Sequence, residues 1–254
     1  MIIVTKNELS LLGDSSVPCS GRVRLIQTGI IALILGASAC AVGLPSLPTP
    51  SAVVTPATMA ESVSTSVDYR RIEREVVTEL NAVRRDPAAY SANLAQLIPL
   101  FDGNVVRRPN HPIGVRTTEG AAAVREAVAA LRAQSPEPPL AFAEGLAAAA
   151  RDLAVDQART GAVGHTASDG STPATRIARH GAWSVSYSEN VDYGSFTSGR
   201  DVVIDLLIDD GVPDRGHRRN IFDPSARVVG VACRGHKRYG SVCVADQAGG
   251  FTPR

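Results

Sequence analysis

Arg227-Val-Val-Gly-Val-Ala-Cys233 and Gly240-Ser-Val-Cys-Val-Ala245 are two short apolar runs, separated by Arg234-Gly-His-Lys-Arg-Tyr239. Valine-rich runs bounded by glycine and charge read as strands, and two this close together read as a β-hairpin. Upstream, Trp183-Ser-Val-Ser-Tyr-Ser-Glu-Asn-Val-Asp-Tyr193 places strand-forming residues in alternation and predicts a third strand. Before it the pattern is helical. Ile72, Val76, Leu80 and Val83 recur at helical spacing with Arg and Glu between them. Asp86-Pro87 stops that helix, because proline lacks the amide and disfavours the α region in the residue before it. Further helices are expected over 88–97, 119–133, 140–160, 173–180 and 202–208. On the helix at 140–160, Leu146, Ala150, Leu153 and Gln157 share one stripe, and Gly161 is a natural stop. Residues 99–118, rich in Pro, Gly, Asn and Arg, read as a long loop with room for a short hairpin. Helices followed by strands, rather than strict alternation, argue an α+β fold with a small antiparallel sheet.

The amino terminus decides the compartment. Leu25-Ile-Gln-Thr-Gly-Ile-Ile-Ala-Leu-Ile-Leu-Gly-Ala-Ser-Ala39 is uncharged, follows Arg22 and Arg24, and ends in small residues. That is the pattern of an export signal over 1–40, and it is shorter than the roughly 20 residues a membrane span needs. Cys40 follows Ala37-Ser-Ala39 directly, which resembles a bacterial lipobox without the usual leucine. The same residues fit an ordinary Ala-x-Ala cleavage site, so lipidation at Cys40 and simple secretion both stay open. The long leader suggests a second start at Val17, which would leave Cys19 in discarded or cytoplasmic sequence. Residues 41–66 hold four prolines, nine Ser or Thr and the single charge Glu61, a composition that reads as an extended tether. The expected localisation is extracytoplasmic, secreted or lipid-anchored, ahead of one domain over 67–254.

In an oxidising compartment Cys233 and Cys243, on neighbouring strands, should pair. The closed loop would contribute about 2–4 kcal/mol at best. Zinc is the alternative for these thiols, weakened by the lack of a second pair nearby.

Composition narrows the function classes. Apolar residues at 44% are enough for a real core. The 26 basic residues nearly cancel 25 acidic ones. Without Lys6, Arg22 and Arg24 on one side and Glu8 and Asp14 on the other, both counts become 23 over residues 41–254. A chain that neutralises many phosphates would show a basic excess, so nucleic acid is not an expected partner.

The residues that could carry chemistry are spread out. Of five histidines, His165 sits in Gly164-His-Thr166 and His217 in Gly216-His-Arg-Arg-Asn220. Between them lie Ser188-Glu-Asn190 and Asp209-Asp210. Neutral imidazoles with a carboxylate suit Zn²⁺ or a similar divalent ion, or general acid–base chemistry. No His-Glu-x-x-His, Gly-x-Ser-x-Gly, Walker or EF-hand pattern occurs. A triad from Ser168, His165 and Asp169 is a poor alternative, since near neighbours in sequence rarely reach triad geometry.

Taken in order, Asn81-Ala-Val-Arg84, Gly164-His165-Thr166, Glu189-Asn190, Gly216-His217-Arg-Arg-Asn220 and Gly230-Val-Ala232 resemble the CAP superfamily. That group comprises cysteine-rich secretory proteins, antigen 5 and pathogenesis-related 1 proteins, with exported bacterial members (the SCP-like extracellular domain). The resemblance spans roughly residues 69–247, with an extra segment at about 101–134 that either reshapes one edge of the cleft or extends a helical layer. It implies a three-layer α–β–α sandwich and a cleft lined by two histidines and two acids. Carried over by motif, these are His165, His217 and Glu189, with Asp209 as the second acid and Asp210 next. Asn190 is expected to support the site through backbone hydrogen bonds, and His165 and His217 are the candidate metal ligands. The expected function is a non-enzymatic binding module for a divalent ion, a lipid, a small molecule or an envelope protein, touching a membrane only through an N-terminal lipid anchor. The alternatives are a structural envelope protein with an architectural cleft, and a metal-dependent hydrolase of peptide or cell-wall material with Glu189 as base.

Overall fold

The structure, a computed structural model, describes residues 67–109, 111 and 113–254. The export signal, Val17, Cys19, Cys40 and the tether lie outside the described residues.

Helix α1 (Tyr69–Arg85) starts at Asp68, whose side chain accepts the Arg71 N–H, and buries Ile72, Val76, Leu80 and Val83. Each fully buried aliphatic side chain of that stripe contributes about 1.5–3 kcal/mol. Asp86 ends α1 and caps α2 (Pro87–Ala95) by accepting the Ala89 N–H. Proline at the first helical position costs α2 nothing, since that N–H has no partner within the helix.

Residues 99–118 contain more structure than the expected loop. Strands β1 (Phe101–Asp102), β2 (Val105–Val106) and β3 (Val115–Arg116) form a small antiparallel sheet. Helix α3 (Ala121–Ala133) follows and buries Ala123, Val124, Ala127, Val128 and Leu131 in the same core as α1 and α2. Helix α3 of the extra segment thus packs into the layer of α1 and α2.

The helix expected from Leu140 begins later, at Glu144. Asn81 of α1 binds Leu140 as a peptide would. Its Oδ1 accepts the Leu140 N–H at 2.7 Å, and its Nδ2 donates to the Leu140 carbonyl at 3.0 Å. That grip keeps the chain extended, so residues after Leu140 form strand β4 (Ala141–Phe142) before α4 (Glu144–Thr160) can start. Arg84 works in the same way, fully buried and donating to the carbonyls of Pro138, Ile221, Asp223 and Ala226. The motif residues Asn81 and Arg84 are thus staples of the backbone.

Helix α5 (Pro173–His180), strand β5 (Gly181–Gly194), helices α6 (Gly199–Ile208) and α7 (Gly216–Ile221), and strands β6 (Val228–His236) and β7 (Gly240–Pro253) complete the chain. The main sheet runs β4-β6-β7-β5; β5, β6 and β7 are antiparallel, and short β4 joins β6 in parallel. Side chains alternate across it. Val229, Val231, Cys233, Cys243 and Ala245 face the layer of α1, α2, α3 and α6. Ala232, Val242, Val244, Val191 and Tyr193 face α4 on the other side, and Ala248 packs with Leu146, Ala149 and Ile177 of α4 and α5. This is an α–β–α sandwich. Gly230 lets α4 lie against the sheet, since a Cβ there would stand 1.9 Å from the Ala147 nitrogen. Cys233 and Cys243 are paired directly across the β6–β7 ladder and form a disulfide, so the zinc alternative does not hold for them.

Among the described residues, no helix is long and apolar enough to cross a membrane.

Candidate functional site

His165 lies in the loop between α4 and α5, which Tyr193 and Gln157 fix from below. The Gln157 amide donates to the Gly164 carbonyl at 2.7 Å, and the Gly164 N–H donates to the Tyr193 hydroxyl at 2.8 Å. The same hydroxyl donates to Gln157 Oε1 at 2.9 Å. Gln157 was legible only as part of the buried stripe of α4, and Tyr193 only as a strand residue. Together they hold the loop that presents His165.

Glu189, near the middle of β5, supports the ring. Its Oε1 accepts from His165 Nδ1 at 2.8 Å, and its Oε2 accepts from Arg176 Nη2 at 2.5 Å. Arg176, on α5, is fully buried and also donates to the carbonyls of His165 and Ser171. Sequence reasoning missed this arginine, because a charged residue in a short polar helix looks like any solvated one. Asp246 was missed too. It sits opposite Glu189 in the β5–β7 register and is fully buried. Burial, and then the adjacent Glu189, push its carboxyl well above the ordinary carboxylate range.

His217 begins in the first turn of α7, and Asp209 grips it from the end of α6. The Asp209 carboxylate accepts the His217 backbone N–H at 2.9 Å and bonds ring Nδ1 at 2.7 Å. Asp209 adopts a left-handed conformation, φ 55°, and is fully buried. Aspartate tolerates that region better than most residues. Asp210, the next acid, turns away and accepts the backbone N–H groups of Thr118 and Glu119. Asn190 donates to the His217 carbonyl at 3.3 Å and accepts from the Asn220 amide at 2.8 Å, tying β5 to α7.

His165, Glu189 and His217 line one cleft of about 220 Å³, with Tyr187, Asp214 and Arg219 among its other walls. Asp209 stands behind His217. A carboxylate can only accept, so Nδ1 of each histidine carries the proton in its bond to the acid. In the neutral form of each ring, Nε2 is then the nitrogen that carries the lone pair. Ser168 takes no part in a triad, since its hydroxyl bonds Asp156 at 2.5 Å and accepts from Arg159 at 2.9 Å. Among the described residues, no group of three or more His, Cys, Asp or Glu side chains is placed to hold a metal ion. The braced ring donors that line the cleft among the described residues are thus the two imidazoles.

Residues 125–246 match the family model described as CAP, the cysteine-rich secretory protein family. The match contains His165, Glu189, Asp209 and His217, while Asn81 and Arg84 precede it. No curated protein matches the chain. Two solved structures are similar in part. One is an extracellular protein containing an SCP domain from Bacillus anthracis, at 16% identity and TM-score 0.36, covering 51% of this chain and 38% of that one. The other is an outer surface protein from Borrelia burgdorferi, at 17% identity and TM-score 0.38, covering 46% of this chain and 80% of that one. The chain thus spans well under half of the first.

Proposed function

We propose, for a chain that carries a CAP domain of the cysteine-rich secretory protein family over residues 125–246, that it is an extracytoplasmic, non-enzymatic binding module. The observation that carries this reading is the pair His165 and His217 in one cleft, each ring oriented through Nδ1 by a buried carboxylate. Such bracing raises ligand basicity and fixes the coordinating nitrogen, as it does in metal sites. A divalent ion of borderline softness suits two neutral imidazoles. Among the described residues two side chains would hold it, and a carboxylate or similar group on a partner would complete the shell.

The size of the cleft chooses among ligands. Pockets that enclose drug-sized molecules occupy roughly 300–1,000 Å³, and a cleft of about 220 Å³ is too small to enclose a sterol or an acyl chain. An ion together with one group of a protein or cell-wall partner fits. The hydrolase reading is weaker, because it needs Glu189 as base and both Glu189 oxygens are already bonded to His165 and Arg176. Export is supported by the apolar run 25–39 and by a disulfide, which persists in oxidising compartments.

Native mass spectrometry and elemental analysis of protein isolated from its own envelope test this reading. One divalent ion per chain is expected. Protein that carries no ion, and takes none up from micromolar zinc, would contradict it.

A further inference from the structure

The loop from Asp209 to Arg215 carries two non-glycine residues in the left-handed region, Asp209 at φ 55° and Arg215 at φ 50°. They stand at its two ends. Asp209 grips His217, and Arg215 is the residue from which α7 and His217 begin. An arginine with positive φ is uncommon, and such a conformation persists only where its surroundings over-determine it.

Those surroundings come from residues 118–126, at the start of α3 and just before it. Glu119 takes the Arg215 guanidinium in a two-toothed bond, at 2.6 and 2.7 Å, and also accepts the Gly211 N–H at 2.7 Å. The same guanidinium donates to the carbonyls of Asp209 at 2.7 Å and Val212 at 3.2 Å. Glu126 adds contacts to Arg215 Nε at 3.2 Å and Arg218 Nη2 at 2.5 Å. From the loop side, Asp210 binds the Thr118 and Glu119 amides. The Thr118 and Glu119 amides and the Glu119 carboxylate thus close on the seven residues that hold His217, while the Thr118 carbonyl accepts from Asn104. Glu119 and Thr118 lie before the segment that matches the family model.

We infer that Glu119 and Arg215 are positioning residues for the cleft: they form an ionic clasp that sets the Asp209–His217 pair, and with it the affinity of the site. The inference rests on the binding reading above for its consequence, and on the hydrogen bonds for its geometry. Arg215 reaches Asp209 through the backbone carbonyl, so releasing the guanidinium frees the residue whose side chain orients the ring. The planar fork of arginine makes the contact specific, and lysine would not replace it.

Two readouts on Glu119→Gln test it in the full chain. The first is amide hydrogen exchange at His217, whose N–H is bonded to Asp209 Oδ2. Exchange there should accelerate more than about tenfold while amides of β6 and β7 keep their rates, because opening is local. A merely structural loss would accelerate all of them together. The second is zinc titration, with affinity expected to fall about tenfold, as for loss of a group supporting a ligand. Should wild type bind no zinc, the binding reading fails while the exchange result still judges the clasp. Arg215→Gly gives an independent check, since glycine adopts the same backbone without cost and lacks the guanidinium. It should reproduce both effects. Unchanged His217 exchange in both folded variants would overturn the inference, and so would uniform acceleration at every core amide.

Discussion

Asp209 holds His217 at two points at once, the backbone N–H at 2.9 Å and ring Nδ1 at 2.7 Å, so one buried carboxylate sets both the start of α7 and the orientation of its histidine. The two tasks can be separated. Asn at position 209 keeps a backbone that tolerates the left-handed region and an oxygen that accepts one bond. It loses the charge that orders the ring. Asp209→Asn should therefore lower zinc affinity about 10–100-fold, with the protein still cooperatively folded by circular dichroism. Full affinity in that variant would remove Asp209 from the site.

Arg176 is the cation shared by Glu189 and the His165 loop, and both side chains are buried. Removing one member of a buried pair leaves an uncompensated charge. Arg176→Met should cost about 3–5 kcal/mol in urea unfolding. A cost near zero would mean that the loop is held by Tyr193 and Gln157 alone.

Two buried acids predict an unusual pH response. Burial, and then its neighbours, raise the Asp246 carboxyl, and burial followed by Asp205 raises that of Asp192. A carboxyl whose pKa is higher folded than unfolded binds more protons when folded. Its contribution is full below the ordinary value near 3.9 and is lost as pH rises through the raised folded value. Asp192→Asn and Asp246→Asn should each gain melting temperature over wild type progressively as pH is raised above about 4. The opposite slope would show that these acids are ionised and paired. Arg108, which bonds Asp205 beside Asp192, offsets part of this repulsion. Arg108→Met should destabilise, and Asp192→Asn should partly rescue it.

The Cys233–Cys243 bond closes a loop with a sequence separation of 10. Reduction should lower stability by about 2–4 kcal/mol and leave zinc binding unchanged, since neither sulfur lines the cleft. Zinc uptake that appears only after reduction would argue that the thiols, not the histidines, hold the ion.

Much of the architecture was legible from local pattern. Ile72, Val76, Leu80 and Val83 marked α1 because a helix buries one face, and the valines of β6 and β7 marked a hairpin because a sheet alternates two. Strand β4 was illegible, as Ala141 and Phe142 are held extended by distant partners: Asn81, 59 residues from Leu140, takes both of its backbone bonds, and β6 pairs with the two residues that follow. The bulge between Ser184 and Tyr187, with Val185 at φ 70°, equally has no signature in the alternation that predicts the strand. At the site, the motif residues pointed to His165, Glu189, Asp209 and His217, while Arg176 and Asp246 were hidden. Buried charges are specified by distant partners, and a single sequence gives no local sign of them.

The central claim is that His165 and His217 act as one binding pair. Equilibrium zinc titration of wild type against the His165→Ala, His217→Ala double variant tests it most directly, with folding checked by circular dichroism. One site per chain in wild type and none in the folded double variant is the result expected here. Unchanged zinc binding in the double variant would contradict it.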